Sequence, residues 1–479
     1  MVAAKRFGDD IRCADDMATV LNKSAGRSQG RKSKYLNGSQ ISSSISSTRW
    51  WWHLAFFSLL LVLALPLVAL GLAHRVWVRR KGLVGLREKI TGRGAPITPG
   101  QILVHGVSLG EVNLMRPLVP HLEAQLGARC FLTTTTETGR ARLDDVFADH
   151  ERAFLPLDLP WAVWTFLRRA KPRLVILLEL EVWPVLLCMC HLRGIPVMLL
   201  NARVSERSFR GYRRAGALLR PMLRPMALAL GQNATWSARL VALGMRRDRV
   251  VVSGSMKADM VASATPDVAQ QLATRFGLRP EQPLLLLSST SAGAAVEEQV
   301  LLKNQVSEWE QRGWQVVICP RHPERGVEIA TWIKEIGSIP KRTSLGEGVD
   351  GANQILIVDE IGKLGALYVW TAQVKGIAVV GGSLGSGRGG QNMLEPAAAG
   401  CCTVVGWDTR NFPDAMALLR EDGGVIEVSV NNCQTVLATL AKDQPRRIAV
   451  GAKGQQAWAR GRGAVARSAA LVAHFFRAA

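Results

Sequence analysis

Short apolar runs alternate with longer amphipathic stretches from about residue 100 onwards. In the first half of the chain the runs span 101–106, 128–136, 173–180, 195–202 and 249–255. Continuous apolar runs of about four to eight residues, separated by helical patterns, are typical of strands buried in a parallel sheet. The pattern therefore predicts an α/β domain in this part of the chain.

The same alternation starts again after a proline-containing, charged passage at 264–282. The second set of runs spans 283–290, 314–320, 354–360, 376–383 and 401–407. We expect two doubly wound, Rossmann-like domains that face a cleft, at 76–262 and 263–479. One large class of glycosyltransferases has this architecture, but so do dehydrogenases and binding proteins, so it does not define the function.

The first 75 residues follow neither pattern. Residues 1–48 are rich in Ser, Gly, Lys and Arg without apolar periodicity, which predicts a flexible basic tail. Residues 49–75 contain the uncharged, largely apolar run 54–73, which three tryptophans precede and several basic residues follow. This length just spans a bilayer, so we predict a membrane-anchor helix, with a buried core helix as the alternative. The basic residues after the run favour a cytoplasmic location for the rest of the chain.

The net charge narrows the choice of partners. The 479 residues carry a formal charge of +22, which implies an anionic partner such as a membrane surface, a phosphorylated lipid or nucleic acid. Aromatic side chains are not interleaved with the basic ones as in RNA-binding motifs, so we favour a membrane or phosphate partner and expect no nucleic acid. The eight cysteines lack metal-ligand or disulfide-framework spacing, so we expect reduced thiols and no metal site.

The run GGSLGSGRGGQNMLEPAAAG at 381–400 follows an apolar, strand-like segment and precedes an alanine-rich helical stretch. Glycines such as Gly387, Gly389 and Gly390 permit positive φ, so that loop amides and a helix N-terminus could face a phosphate. Glu395, near the start of the helix, could accept hydrogen bonds from a ribose diol. The run predicts a nucleotide-phosphate cradle, with a simple glycine-rich turn as the alternative.

Acidic side chains follow two predicted strands of the first half. Glu111 comes just after the first strand, in VHGVSLGEV, and could either stabilise a helix N-terminus or act as a general base. Glu179 and Glu181 lie at the end of an otherwise apolar strand, in LLELEVWP. Because buried carboxylates are costly unless they are paired or used, these acids are candidates for chemistry in the cleft.

Cationic side chains lie after other strands. Arg203 and Arg207 could pair with the acids or hold an anionic sugar or lipid phosphate, with a solvated basic helix as the alternative. Lys257 lies at the expected domain junction, either as a cation for an anionic group or as a linker residue. In the second half Arg321 follows a strand in VICPRHPER, and a glycine-containing turn at 361–363 could contact a base or ribose.

Taken in order, these segments resemble the bacterial 3-deoxy-D-manno-octulosonic acid (Kdo) transferase family, from the membrane run to about residue 430. The similarity rests on VSLGEV, TTTTETG, LPLDLP, ELEVWP, NARVSERS, GSMKAD, PRHPER and GGQNMLEP. It implies a two-Rossmann (GT-B type) glycosyltransferase anchored at the cytoplasmic face of the inner membrane. Such an enzyme moves Kdo from CMP-Kdo to a lipid A precursor, lipid IV-A, with inversion, in lipopolysaccharide biosynthesis.

The resemblance also implies residue roles. Glu111 would be the general base, and Glu179 and Lys257 would stabilise the transition state. The family uses no metal ion or other cofactor, and cationic residues take over that role for the doubly anionic donor. CMP would be bound by Pro320, Arg321, Ile361, Gly362, Lys363, Asn392, Met393, Leu394 and Glu395.

The chain departs from the family pattern at four positions. Ser291 and Ala292 replace a His and a Glu, Lys363 replaces a Glu, and Gln391 replaces a His. These exchanges leave an alternative open, namely a catalytically lapsed relative that still binds nucleotide or lipid at the membrane. A nicotinamide-dependent oxidoreductase is disfavoured, because VSLGEV rather than G-x-G-x-x-G follows the first strand.

Overall fold

The computed structural model describes residues 52, 55–56, 84–261, 264–302 and 306–477. The predicted basic tail and nearly all of the predicted anchor lie outside these residues, so both stay predictions. Within the described part of the chain, no helix has both the length and the apolar character that a membrane crossing requires. The chain divides into two compact units, the first up to Lys257 together with the stretch from Gly463, the second Ala258–Arg462.

The first unit is built around a parallel sheet of seven strands in the order β3-β2-β1-β4-β5-β6-β7. The strands are β1 (Ile102–His105), β2 (Cys130–Thr134), β3 (Arg152–Phe154), β4 (Leu174–Leu178), β5 (Val197–Ala202), β6 (Leu228–Gly231) and β7 (Val250–Val252). Its helices are α1 (Leu86–Thr91), α2 (Leu109–Leu126), α3 (Glu137–Val146), α4 (Pro160–Ala170), α5 (Pro184–Leu192), α6 (Glu206–Arg214), α7 (Gly216–Leu223), α8 (Ala234–Ala242) and the C-terminal α18 (Ala464–Arg477).

The apolar runs form central strands because helices cover both faces of the sheet. Every residue of β1 and β4 is buried. Alternate side chains point to opposite faces, so Leu103 and Leu177 join one apolar cluster while Val104 and Ile176 join another.

The loops that follow β1 and β4 meet at one edge of the first sheet. These two strands pair in parallel, with Ile102 opposite Leu174 and His105 opposite Leu177. β1 pairs with β2 on its other side, so the chain order reverses between β1 and β4. Doubly wound sheets bind ligands outside the carboxyl ends of the strands at such a switch point.

The C-terminal helix α18 packs on the first unit. Val465, Ala469 and Val472 are buried in the same cluster as Leu114 and Leu118 of α2. Because this apolar stripe needs a partner surface, the helix belongs to the first unit and not to the second.

The two units differ from the expected domains in their bounds. The boundary between them lies at 257/258 rather than 262/263, and the second unit ends at Arg462 rather than 479.

The second unit repeats the architecture, with strand order β10-β11-β9-β8-β12-β13-β14. Its strands are β8 (Leu284–Thr290), β9 (Gln315–Pro320), β10 (Ile339–Arg342), β11 (Gln354–Ile357), β12 (Ile377–Val380), β13 (Cys402–Gly406) and β14 (Ile426–Val428). Its helices are α9 (Pro266–Arg275), α10 (Glu297–Leu302), α11 (Val306–Gln311), α12 (Gly326–Glu335), α13 (Leu364–Gln373), α14 (Leu394–Ala399), α15 (Pro413–Asp422), α16 (Cys433–Lys442) and α17 (Gln444–Gly461). The chain order reverses between β8 and β12, which pair in parallel. The prediction of two doubly wound α/β units is confirmed.

Candidate functional site

Glu111 lies in the first turn of α2, just beyond the carboxyl end of β1. Its Oε2 accepts a hydrogen bond from the backbone N–H of Val107 at 2.5 Å, and its Oε1 accepts one from the hydroxyl of Ser108 at 3.0 Å. Burial raises the pKa of the Glu111 carboxyl, the N–H of Val107 opposes this, and the negative charge of Glu179 adds to it. A carboxyl group held in place by two donors and made more basic by its surroundings suits a general base.

Glu179 and Lys257 form an ion pair beyond the carboxyl end of β4. Nζ of Lys257 lies 3.2 Å from Oε1 of Glu179. Glu179 has a φ of +57°, a backbone conformation that is uncommon for residues other than glycine and that clusters at functional sites. Because the charge of Glu179 also acts on the carboxyl of Glu111, the structure brings the three predicted catalytic residues together.

Glu181 completes an acidic cluster formed by Glu111, Glu179 and Glu181. The indole N–H of Trp183 donates a hydrogen bond to Oε2 of Glu181 at 3.1 Å. Burial raises the pKa of Glu181 to about 7, and the negative charge of Glu111 contributes to the rise. The sequence made Glu181 a candidate for chemistry at the end of an apolar strand, but the family resemblance gave it no specific role. Its position two residues after Glu179, still beside a buried strand, was the available signal.

Polar side chains next to the acidic cluster fix its surroundings. Asp158 accepts hydrogen bonds from the N–H groups of Val185 and Leu186, both at 2.8 Å, at the start of α5. The ring of His105 lies edge-on to that of Trp183, with 5.9 Å between the centroids. Burial lowers the pKa of His105 to about 3, so this histidine is neutral and supports the site through packing.

Arginines follow β5, the neighbour of β4 in the sheet. The guanidinium of Arg203 lies over the Trp236 ring, 5.5 Å from its centroid. Within the described residues, neither Arg203 nor Arg207 forms an ion pair with the acidic cluster. Helix α6 instead presents exposed arginines, which leaves a cationic surface for an anionic ligand; they are Arg207, Arg210, Arg213 and Arg214.

In the second unit, three neighbouring regions of one sheet edge carry the predicted nucleotide-binding residues. Pro320 ends β9 and is buried, whereas Arg321 is exposed. The turn 361–363 follows β11, and its Ile361 is 87% exposed. Nζ of Lys363 lies 3.6 Å from Oε2 of Glu360. The positive charge of the lysine that replaces the family's glutamate is therefore offset by a neighbouring carboxylate.

The segment from Asn392 to Glu395 leads into α14. Nδ2 of Asn392 donates a hydrogen bond to Oε1 of Glu395 at 2.9 Å. Burial raises the pKa of Glu395, whereas that hydrogen bond and the charge of Arg321 oppose the rise. Met393 and Leu394 are buried, so only their backbone groups could face a ligand. The structure thus links Arg321, Asn392 and Glu395, and their contact with CMP stays a prediction.

The glycine-rich loop differs from the predicted phosphate cradle. The fully buried Glu297, at the start of α10, accepts hydrogen bonds through Oε2 from the N–H groups of Ser291 at 2.9 Å and Gly382 at 2.7 Å. Its Oε1 accepts one from the N–H of Leu384 at 2.8 Å. Glu297 was not predicted as a loop partner, because Gly382 and Leu384 lie 85 and 87 positions further along the chain.

Further along the loop, more amides have partners within the protein. The N–H of Gly389 donates to Oδ2 of Asp408 at 3.2 Å, and that of Gly390 to the carbonyl of Gly382 at 2.7 Å. The N–H of Gln391 donates to the carbonyl of Gly381 at 3.2 Å. For Gly389 and Gly390 the prediction that their amides face a phosphate is therefore wrong, because protein acceptors already use them. For Gly387 and for the start of α14 it stays a prediction.

The described residues contain no group of three or more His, Cys, Asp or Glu side chains that could hold a metal ion.

Comparison with known proteins places this geometry in context. The sequence profile described as 3-deoxy-D-manno-octulosonic-acid transferase (kdotransferase) matches residues 77–260. The chain is 33% identical over 365 residues to the 3-deoxy-D-manno-octulosonic acid transferase of Bordetella pertussis, covering 72% of this chain and 83% of that protein. It is 29% identical over 420 residues to the enzyme of the same name from Haemophilus influenzae, covering 86% and 96%. A crystal structure of a glycosyltransferase from Rickettsia africae, 12% identical, has a TM-score of 0.51 over 79% of this chain and 99% of that chain, which shows similarity of fold.

Proposed function

Because the chain belongs to the 3-deoxy-D-manno-octulosonic acid (Kdo) transferase family, we propose that it transfers Kdo from CMP-Kdo to lipid IV-A, a lipid A precursor, in lipopolysaccharide core biosynthesis. The observation that carries the proposal is the grouping of Glu111, Glu179 and Lys257 at the switch point of the first sheet. A base, a second acid and a cation at this edge are what transfer of an anionic sugar to a hydroxyl requires.

In the proposed reaction the carboxylate of Glu111 takes the proton from the acceptor hydroxyl. The acceptor oxygen then forms a bond to the anomeric carbon of Kdo, while the bond from that carbon to the phosphate oxygen breaks. CMP leaves with the electron pair, and attack opposite the leaving group inverts the anomeric centre. Lys257, oriented by Glu179 at 3.2 Å, offsets negative charge as the bond breaks.

The second unit supplies the donor contacts. The exposed guanidinium of Arg321 suits the phosphate of CMP, because guanidinium binds phosphate through paired hydrogen bonds. The carboxyl of Glu395, held by Asn392 at 2.9 Å, suits a ribose diol. The exposed turn at 361–363 offers its backbone to the base.

The positive charge of the chain suits two anionic partners, the lipid acceptor and the membrane surface. The arginines of α6 follow the strand next to β4, at the same sheet edge as the acidic cluster, and suit the phosphate groups of the acceptor. Together with the net charge of +22 and the predicted anchor at 49–75, they favour a position at the cytoplasmic face of the inner membrane.

The test is transfer of labelled Kdo from CMP-Kdo, generated in situ, to lipid IV-A by the full chain and by Glu111→Gln. We expect the variant to lose about 10²- to 10⁴-fold in kcat, because it keeps the shape of the side chain but cannot accept the proton. CMP binding should be unchanged. Equal product from both proteins would remove Glu111 from the mechanism. No product from either, with CMP binding intact, would favour the lapsed binding protein.

A further inference from the structure

The mechanism above makes no use of Glu297, although its carboxylate is among the most thoroughly bound in the second unit. Besides the three backbone N–H donors, the hydroxyl of Ser386 lies 3.5 Å from Oε1. An ionised carboxylate has about four lone-pair sites, and this arrangement directs donors at all of them. Burial raises the pKa of the Glu297 carboxyl, and the three backbone N–H donors oppose the rise. A proton on Oε2 would face the N–H groups of Ser291 and Gly382, so the geometry fits the ionised form.

Converging backbone N–H groups of a glycine-rich loop are the arrangement that proteins use to hold phosphate. Here an anion of the protein itself lies among them. Gly382 has a φ of +73°, the kind of backbone turn that lets successive amides point inwards.

We propose that Glu297 is a positioning residue for the donor site, an internal anion that occupies the amide cradle which the glycine-rich loop would otherwise offer to a phosphate group. This inference rests on the proposed function, since it takes the second unit to be the CMP-binding unit. It assigns the phosphate charge of the donor to side chains such as Arg321 rather than to the amides of Gly382 and Leu384.

The contacts run from Glu297 to the predicted nucleotide-binding segment. Glu297 holds Gly382, whose carbonyl accepts the N–H of Gly390 at 2.7 Å. The carbonyl of Gly381 accepts the N–H of Gln391 at 3.2 Å, directly before Asn392. Through these bonds, the conformation of the loop sets where the segment from Asn392 to Glu395 begins.

The segment before α10 leaves little room for the loop to move independently. A Cβ added to Gly293 would lie 2.2 Å from the carbonyl oxygen of Ser386. The two stretches therefore touch backbone to backbone, and Glu297 joins them with its carboxylate.

The first test compares CMP binding and kinetics of the full chain with those of Glu297→Gln. Glutamine has one acceptor oxygen, and its NH₂ group would face an N–H of Leu384 or those of Ser291 and Gly382. We expect the Kd for CMP and the KM for CMP-Kdo to rise at least about tenfold, with a smaller change in kcat and none in the acceptor KM. Glu123→Gln is the matched control, because Glu123 also accepts a backbone N–H, that of Cys130 at 2.8 Å, but lies in the first unit.

The outcomes separate this inference from the proposed function. A wild-type protein that does not bind CMP would refute the proposed donor site itself. A wild type that binds CMP, together with a folded Glu297→Gln variant of equal Kd, would overturn the role of Glu297.

A second measurement needs no variant and covers the case in which Glu297→Gln does not fold. Hydrogen exchange of the wild-type amides of Gly382 and Leu384 should be slow without ligand and unchanged by CMP, because Glu297 already binds them. Fast exchange that becomes slow only when CMP is added would show that the nucleotide fills the cradle, and would overturn the inference.

Discussion

Glu181 links the stability of the first unit to pH. Burial, and then the charge of Glu111, raises its pKa from 4.5 to about 7. In the unfolded chain the carboxyl has its ordinary pKa, so between these values the folded protein binds the proton more tightly than the unfolded one does. The stability that Glu181 contributes is therefore fully present below about pH 4.5 and is lost as the pH rises through about 7.

We expect Glu181→Gln to weaken this pH dependence. Between pH 5 and 8 the wild type should lose about 1–3 kcal/mol more unfolding free energy than the variant, a range reduced for the partial exposure of the side chain. Urea unfolding at a series of pH values measures the difference, with the exposed Glu335→Gln as the control. Parallel profiles for wild type and Glu181→Gln would show that the pKa is not raised.

Lys257 should matter more for the reaction than for stability. Its ion pair with Glu179 is partly exposed, with side-chain exposures of 38% and 24%, and such pairs contribute at most about 1 kcal/mol. We expect Lys257→Met to lower kcat at least about tenfold, because the variant lacks the cation that offsets negative charge in the proposed reaction, and to change the unfolding temperature little. Lys257→Arg, which keeps the charge, is the matched control in the same transfer assay. An unchanged kcat in Lys257→Met would leave the lysine without a catalytic role.

Some site residues could be predicted from sequence and others could not. Glu111 and Glu179 each follow an apolar run that marks the end of a buried strand, and the carboxyl ends of parallel strands share one edge. Two of the backbone partners of Glu297, Gly382 and Leu384, follow it by 85 and 87 positions. Tertiary packing decides which acceptor a loop amide binds, and a local pattern does not show it. A phosphate cradle was therefore predicted in a loop whose Gly382 and Leu384 amides bind the carboxylate of Glu297.

Some strands were likewise predicted from the sequence and others were missed. Central strands such as β4 and β12 were predicted because both faces are buried and their sequences are continuously apolar. Three of the four edge strands, β3, β10 and β14, were missed, since they have three or four residues and each contains a charged side chain. The fourth, β7, was predicted because all three of its residues are valine. β6, with the sequence LALG, was missed because leucine and alanine also favour helix and a basic helical region precedes it.

The start of α5 depends on a side chain from another part of the chain. Its N-cap, Trp183, makes no capping hydrogen bond, and Pro184 has no N–H to satisfy. Asp158 supplies the acceptors for Val185 and Leu186 instead, at 2.8 Å each. A sequence pattern cannot reveal a cap that is provided from 27 positions away.

We expect Asp158→Ala to destabilise the first unit by about 1–2 kcal/mol, because two N–H groups at the helix N-terminus lose their acceptor. Asp158→Asn, which keeps one acceptor oxygen, should lose less. Thermal unfolding compares the variants, with the exposed Asp149→Ala as the control. Equal unfolding temperatures for wild type and Asp158→Ala would show that water replaces the cap.

The path of the chain makes the first unit depend on residues that follow the second unit in the sequence. The chain passes from the first unit into the second at 257/258 and returns at Gly463. α18 then buries Val465, Ala469 and Val472 against the cluster that contains β1 and α2. The core of the first unit is therefore incomplete until the second unit has been made.

Val472→Asp tests this dependence. An unpaired carboxylate at a position that is 0% exposed should cost the first unit about 3 kcal/mol or more, since the charge has no partner there. Hydrogen exchange should then accelerate in α2, which packs against α18, and in β1, which shares their apolar cluster, while β8 and β12 keep their protection. His474→Asp, on the exposed side of the same helix, is the matched control and should change neither unit. If β8 and β12 lost protection together with β1, the two units would unfold as one cooperative body, and α18 would support the whole chain rather than the first unit alone.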